Sequence, residues 1–334
     1  MDSDKLPFNA SDFGFRPSDF GFKQSCFHTC LPPPDSYSRL MKLGFSLPLR
    51  RRGFLATLGS LTAFSIVSAS APRAFAEPRK GRLKQGVCPG VFGGAKLDFE
   101  GKCREAARLG VYGIDLVGPK DFPMLKKYGL VPTMVPGGSG IQSGINDKKN
   151  HETMLSKMEE SIKAAADAGS PNVIALAGDR KGISDEEGLD NTVLFLNNIK
   201  KVAEDHGVTV CMELLNTKVD HPGYMCDHTT WGVEACKRVN SPRVKLLYDI
   251  YHMQIMEGDI IRTVKNNIQY IGHFHTAGNP GRHQFDDTQE MNYTGICKGI
   301  ADAGYQGCIS HEYNPSKGKD PLETLDAMLR MCEV

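Results

Sequence analysis

Short apolar segments alternate with longer amphipathic segments from about residue 84 to the C-terminus. The two clearest, residues 244–250 and 268–274, are almost continuously hydrophobic, and the chain between them is long enough for a helix. Near-continuous apolar runs are typical of parallel strands that are buried on both faces, because a half-exposed strand alternates apolar and polar residues. The pattern therefore predicts buried parallel strands that are connected by helices.

The same alternation yields about eight strand–helix units with short connections. The other predicted strands are residues 84–88, 111–116, 130–135, 172–177, 208–215 and 306–312. The predicted helices are residues 99–108, 122–128, 151–168, 186–206, 229–239, 259–266, 292–303 and 321–331. Because strands and helices alternate without a linker, we predict an α/β fold with a single (β/α)8 TIM barrel over residues 77–334. A doubly wound open sheet is the rival fold, but no G-x-G-x-x-G motif follows the first strand.

The N-terminal part of the chain has a different pattern. Arg51 and Arg52 precede an apolar run that ends in the small-residue tripeptide AFA at residues 74–76. A basic region, an apolar region and an A-x-A-like end are the features of an export signal, and paired arginines indicate the twin-arginine type. The run is short for a membrane span, which argues against an anchoring helix. We therefore predict a twin-arginine signal peptide at residues 41–76, a periplasmic protein, and an extension at residues 1–40 that is disordered or not translated.

The balance of charge argues against a nucleic-acid partner. The chain has 334 residues, with 40 lysines and arginines against 39 acidic residues, so it has no excess of positive charge for a polyanion. Its ten cysteines include no CxxC pair and no zinc-finger spacing. We interpret most of them as small buried hydrophobic residues.

Four predicted strands end at or beside residues that commonly bind metal ions: Glu213, Asp249, His275 and Glu312. Side chains alternate along a strand, so these four can all point into the barrel at its C-terminal mouth. An acid beside a strand end is commonly a helix N-cap or a solvated charge, but four such residues on consecutive strands favour a shared site. Three carboxylates and one imidazole suit one divalent cation, Mn²⁺ or Mg²⁺, with Co²⁺ or Fe²⁺ as alternatives.

Three neighbouring polar residues are interpreted from their positions on the strands. His273 precedes His275 by two residues and shares its face one layer deeper, so we predict a hydrogen-bonded interior histidine. His311 is next to Glu312 and should face the helices instead of the lumen. Asn216 follows the fifth strand and is a candidate substrate contact.

Three segments carry a resemblance to a known family: DIYHMQIMEGD at residues 249–259, NPGRH at 279–283 and GYQGCISHEYNP at 304–315. From about residue 84 onward the chain resembles the xylose-isomerase-like TIM-barrel family, most closely its hydroxypyruvate isomerase branch. One residue departs from that branch, which carries Gln at the position of His275. The related ketose 3-epimerases carry His there, in a GHFH stretch like the one in this chain.

The resemblance implies a role for each matching residue. The four residues at the strand ends become ligands of the divalent cation, and Glu213 and Glu312 also become the paired catalytic acid/base groups. His252 and Arg282 become hydrogen-bond donors to the substrate.

We therefore hypothesise a metal-dependent isomerase of a small α-hydroxy-carbonyl compound that acts through an enediolate, as in hydroxypyruvate isomerase. A ketose 3-epimerase is the first alternative, favoured by His275 and by export. The others are an endonuclease-IV-like phosphodiesterase, which needs a site richer in histidine, and a non-catalytic sugar-binding barrel, which needs no paired glutamates. The expected partner is a small hydroxy-carbonyl or keto-sugar substrate, with no nucleic acid, no membrane after signal cleavage, and a homo-oligomer left open.

Replacing Arg51 and Arg52 with Lys tests the export prediction. We expect the double variant to remain as cytoplasmic precursor, because the twin-arginine pathway reads the arginine pair whereas a plain anchor needs only positive charge. Cell fractionation and immunoblotting measure the distribution. Normal processing near residue 76 in the double variant would contradict the twin-arginine assignment.

Overall fold

The computed structural model describes residues 79–334, and the predicted signal peptide and N-terminal extension lie outside this part. Eight parallel strands close into a barrel in chain order, and the last strand pairs with the first. The strands are β1 Lys84–Val87, β2 Gly113–Asp115, β3 Val131–Pro136, β4 Asn172–Ala175, β5 Thr209–Glu213, β6 Val244–Asp249, β7 Ile271–Thr276 and β8 Cys308–His311. The closed parallel barrel confirms the predicted (β/α)8 fold.

At least one α-helix follows each strand. The helices are α1 Phe99–Arg108, α2 Phe122–Lys127, α3 His151–Ala168, α4 Asp185–His206, α5 Thr229–Val239, α6 Ile250–Met256, α7 Ile260–Asn267, α8 Tyr293–Asp302 and α9 Pro321–Met331. Side-chain caps set several N-termini, with Asp98, Ser184 and Asp320 accepting backbone N–H groups of α1, α4 and α9. Gly169 and Gly207 end α3 and α4 at φ of 73° and 68°, the left-handed conformation that glycine adopts without strain.

The predicted bounds around β6 and β7 were wrong in two places. The strand predicted to reach residue 250 ends at Asp249, because that side chain accepts the backbone N–H groups of Tyr251 and His252 and so starts the unpredicted helix α6. The strand predicted to begin at residue 268 begins at Ile271, after a short 3₁₀ turn over Ile268–Tyr270. Apolar runs of this length do not distinguish a strand from a buried helical turn.

The interior of the barrel is a narrow packed layer that is separate from the main core between sheet and helices. Met134, Ile174, Cys211 and Leu247 form its apolar cluster. Leu247 pairs in register with His273, and two residues further along the strands Asp249 pairs with His275. Each step of two residues moves one layer toward the C-terminal mouth, so the mouth lies directly above this packed interior.

The cysteines behave as the sequence indicated. All eight cysteines within residues 79–334 are buried and free. Within the same residues, no helix has the length and hydrophobicity that a membrane span requires.

Gly113 in β2 provides a test of how tightly the strands pack. A Cβ at this position would overlap the carbonyl oxygen of Val131 in β3, so Gly113→Ala must push two paired strands apart. We expect the free energy of unfolding to fall by roughly 1–3 kcal/mol, as measured by urea unfolding.

Gly118→Ala is the matched control, since a Cβ there meets no atom within 4 Å and its φ of −101° suits any residue. We expect a change of at most about 0.5 kcal/mol for this control. Equal stability of the two variants would contradict the tight strand packing.

Candidate active site

Four side chains meet at the C-terminal mouth of the barrel, each carried by a different strand. Glu213 and Asp249 are the last residues of β5 and β6, His275 lies near the end of β7, and Glu312 directly follows β8. Their candidate ligand atoms all lie within 4.8 Å of one another. The structure thus brings together the four residues that the sequence grouped, while their role as ligands stays a prediction.

The imidazole of His275 is at the centre of this cluster. Its Nδ1 atom is 3.3 Å from a Glu213 oxygen and 3.1 Å from a Glu312 oxygen. Arg282 extends from the loop after β7, with Nη2 at 2.7 Å from Glu312 and 3.8 Å from Asp249 Oδ2. The two glutamates therefore approach one point from different strands, and a guanidinium borders that point.

The other predicted substrate contacts, His252 and Asn216, lie beside the cluster and contact each other. The backbone N–H of Asn216 donates to Nδ1 of His252 at 3.2 Å, and its side-chain amide contacts the same nitrogen and Asp220. Because Nδ1 accepts, the proton of a neutral His252 is on Nε2, which lies 3.6 Å from Asp249 Oδ2. Burial and the nearby Arg282 hold the pKa of His252 well below its usual value, so this histidine is neutral.

The two glutamates differ in their electrostatic environment. Burial raises the pKa of Glu213, a shift that the neighbouring His275 only partly offsets. Burial also acts to raise the pKa of Glu312, but the charges of His275 and Arg282 lower it to about 2. Two carboxyl groups whose pKa values are pushed apart are suited to different proton-transfer roles. The pKa of Asp249 is raised to about 6, chiefly by burial, with Arg282 opposing the shift.

The cluster fits a divalent cation. Within residues 79–334, Asp249 Oδ2 and His275 Nδ1 are buried and make no hydrogen bond. Buried polar atoms nearly always have a partner, and a cation bound among the four side chains would provide one for both of these atoms. Three carboxylates and one imidazole match the preferences of Mn²⁺ and Mg²⁺.

Asp115, the last residue of β2, was not predicted as part of the site. It is fully buried and accepts hydrogen bonds from Nε2 of His273 at 2.6 Å and Nε2 of His275 at 2.9 Å, and also from Thr133. Burial acts against its charge, but the two histidines hold its pKa well below the usual value. The sequence did contain a signal, because Asp115 is an acidic residue near the end of a predicted strand, as Asp249 is.

The side chains of His273 and His311 point in the predicted directions. His273 points into the lumen, where it contacts Asp115 and Asn172. His311 points outward between the sheet and the helices, where it contacts Thr276 and Gln85 at 2.8 and 3.0 Å.

Comparisons with known proteins agree with this architecture. A family model described as the xylose isomerase-like TIM barrel matches residues 103–333. The 2-oxo-tetronate isomerase of Cupriavidus necator is 40% identical over 127 residues, which are 37% of this chain and 48% of that protein. The chain therefore matches about half the length of this relative.

Two further comparisons cover a larger share of the compared protein. The hydroxypyruvate isomerase of Escherichia coli strain K12 is 27% identical over 237 residues, which are 67% of this chain and 90% of that protein. The crystal structure of an AP endonuclease of family 2 from Brucella melitensis superposes with a TM-score of 0.68 at 24% identity, covering 74% of this chain and 98% of that one. At this identity the superposition shows the fold alone.

Asp249→Asn tests cation binding. Asn remains a good helix N-cap, so the variant should keep α6 while it loses one charged ligand. We expect Mn²⁺ at about 100 times its Kd to stabilise the unmodified protein by about 2.7 kcal/mol and the variant by clearly less, measured by thermal unfolding.

Asp320→Asn is the control, because Asp320 caps α9 in the same way. It should change the melting temperature little, because Asn also caps a helix, and leave the response to Mn²⁺ unchanged. A full response in Asp249→Asn would remove Asp249 from the site.

Proposed function

This chain belongs to the xylose isomerase-like TIM barrel family, and we propose that it is an isomerase of a small α-hydroxy-carbonyl compound that uses one divalent cation, Mn²⁺ or Mg²⁺. The observation that carries the proposal is the convergence of Glu213, Asp249, His275 and Glu312, with two buried atoms that lack a hydrogen bond. The two isomerases named above support a small keto acid as substrate, with hydroxypyruvate as the first candidate. We propose the four residues as the ligands of the cation.

The chemistry of such a substrate defines what the site must do. A bound divalent cation would supply positive charge that stabilises negative charge developing on the substrate oxygens. The protein itself must remove the proton from the carbon that carries the hydroxyl group, which gives an enediolate, and return a proton to the neighbouring carbon. The hydroxyl proton must pass to the former carbonyl oxygen in the same reaction. We propose Glu213 and Glu312 for these two transfers, since an oxygen of each lies within 3.3 Å of His275 Nδ1.

Two donors border the space above the carboxylates. The Nε2–H of His252 is buried and has no hydrogen-bond partner among residues 79–334, so it is available to a substrate oxygen. The Arg282 guanidinium is held against the ring of Tyr251, 5.4 Å from the ring centroid, and can donate to the same ligand. Together they would orient the substrate and hold the negative charge of the enediolate.

A ketose 3-epimerase is the second candidate, and one residue favours it. His275 occupies a position where the resembled isomerase branch carries Gln, and its Nδ1 faces the cluster directly. The same two carboxylates would epimerise a substrate if the proton returned to the opposite face of the same carbon. Product analysis separates the two candidates, because isomerisation moves the carbonyl group and epimerisation does not.

The remaining alternatives have less support. An endonuclease-like site needs more histidine ligands, whereas the neighbouring His273 is engaged by Asp115 and Asn172. A non-catalytic sugar-binding barrel has no use for two glutamates directed at one point. Export to the periplasm and a homo-oligomeric state stay proposals from the sequence.

Glu213→Gln and Glu312→Gln test the two-carboxylate mechanism. An amide oxygen still coordinates a cation, so both variants should retain much of the Mn²⁺, while turnover of the best substrate falls by about 10²–10⁴-fold. The substrate is chosen from a panel of hydroxypyruvate, 2-oxo-tetronate and ketohexoses. In D₂O, one variant should still incorporate deuterium into recovered substrate, because its remaining glutamate faces the reacting C–H, and the other should not.

Glu257→Gln is the matched control, since Glu257 binds Thr229 at the start of α5 and lies outside the cluster. It should leave turnover unchanged. Full turnover in either cation-loaded Gln variant of the site would eliminate the mechanism, and activity that simply follows Mn²⁺ occupancy would assign both glutamates as ligands only.

A further inference from the structure

We infer that Asp115 is a positioning residue of the cation site, which holds the His275 ring so that its Nδ1 atom faces the cluster. The inference rests on the proposed cation-dependent function. It concerns a buried chain of hydrogen bonds across the floor of the barrel, which ends at His275, one of the four proposed ligands. No member of this chain is itself one of the three carboxylates of the cluster.

The first part of the chain determines which nitrogen of His273 carries a proton. The side-chain amide of Asn172 donates to the carbonyl oxygen of Thr133 at 3.1 Å and to Nδ1 of His273 at 3.4 Å. Its oxygen faces the thiol of Cys211 at 3.6 Å, which donates to it. An amide oriented in this way leaves Nδ1 of His273 as an acceptor, so Nε2 carries the proton and donates to Asp115 at 2.6 Å.

The second part determines the orientation of His275. Its Nε2 atom lies 2.9 Å from the same Asp115 oxygen that His273 contacts, and the hydroxyl of Thr133 donates to the other oxygen. An ionised carboxylate can only accept, so Nε2 of His275 must carry a proton. Nδ1 is then the nitrogen that remains for a cation, and it is the nitrogen that faces Glu213 and Glu312.

The carboxylate of Asp115 accepts enough hydrogen bonds to be satisfied without a cation of its own. Asp115, His273 and His275 are close enough to bind a second ion, but both imidazoles and Thr133 already donate to the carboxylate. Asp115, His273 and His275 are all fully buried. These contacts favour a hydrogen-bonded support over a second cation site.

A carboxylate behind a ligating histidine has a known physical effect. It fixes the ring, and its negative charge makes the opposite nitrogen a better electron donor to the cation. Loss of such a partner typically costs about 10–100-fold in metal affinity. In this protein the supporting carboxylate comes from β2, a strand that carries none of the four proposed ligands. The contact therefore connects the mouth of the barrel to its floor.

Asp115→Asn tests this inference, because Asn preserves the shape of the side chain and removes its charge. We expect Mn²⁺ and Mg²⁺ to bind about 10–100-fold more weakly, measured by isothermal titration calorimetry on the metal-free protein. Thr133→Val is the matched control, since it removes one donor to the same carboxylate and leaves the His275 contact in place. It should lower stability but change the Kd by less than about twofold.

A second measurement observes the protons in the unmodified protein, and a variant is needed only to assign the resonances. In ¹⁵N-labelled protein loaded with diamagnetic Mg²⁺, we expect Nε2 of His275 to carry a slowly exchanging, strongly downfield-shifted proton and Nδ1 to carry none. The resonances are assigned by their loss in His275→Gln. A proton on Nδ1, or rapid exchange at Nε2, would overturn the inference.

The outcomes separate this inference from the proposed function. If the unmodified protein binds neither cation, the proposed function fails. If it binds them and Asp115→Asn binds them equally well, only the role of Asp115 is wrong. Equal losses of affinity in Asp115→Asn and Thr133→Val would likewise contradict it, because they would reflect general loosening of the floor.

Discussion

Closure of eight parallel strands into one barrel is the constraint on which the site depends. Closure fixes the register of every strand, so that Asp249 of β6 pairs with His275 of β7, and His275 pairs with Ser310 of β8. Glu312 lies two residues beyond Ser310 and therefore faces the same space. A shift of one residue in any of these strands would turn its ligand group out of the lumen toward the helices. The chemistry at the mouth is thus a consequence of strand register.

Barrel closure also buries polar groups at the floor and at the mouth, and the two positions differ in how their hydrogen bonds are satisfied. Asp115 on the floor receives three hydrogen bonds, and this satisfies its charge. At the mouth, Asp249 Oδ2 and His275 Nδ1 are buried without a hydrogen bond within the described residues. Because an unpartnered buried polar atom is destabilising, this difference separates a floor whose polar groups are satisfied within the protein from a mouth that could bind an ion.

The two carboxylate oxygens of Asp249 have different surroundings, so this residue connects the start of a helix to the candidate site. One oxygen accepts the backbone N–H groups of Tyr251 and His252 and so starts α6, while the other faces the cluster. The first turn of α6 then carries His252 to the edge of the site and Tyr251 against Arg282. One carboxylate therefore determines both where the helix begins and where the candidate substrate donors lie.

By itself the sequence determined the fold class and the main cluster, because both depend on local patterns. Near-continuous apolar runs separated by helix-length segments predict a parallel barrel, and acidic or histidine residues at the ends of four of these runs predict a polar cluster at its mouth. The tertiary structure decided what depends on contacts between strands that are distant in the chain. It showed that residues 250–256 form a helix and that Asp115 contacts His275 from 160 residues away. It also showed which nitrogen of His275 faces the cluster. Either nitrogen of an imidazole ring can bind a cation, and the hydrogen bond to the other nitrogen decides which one does.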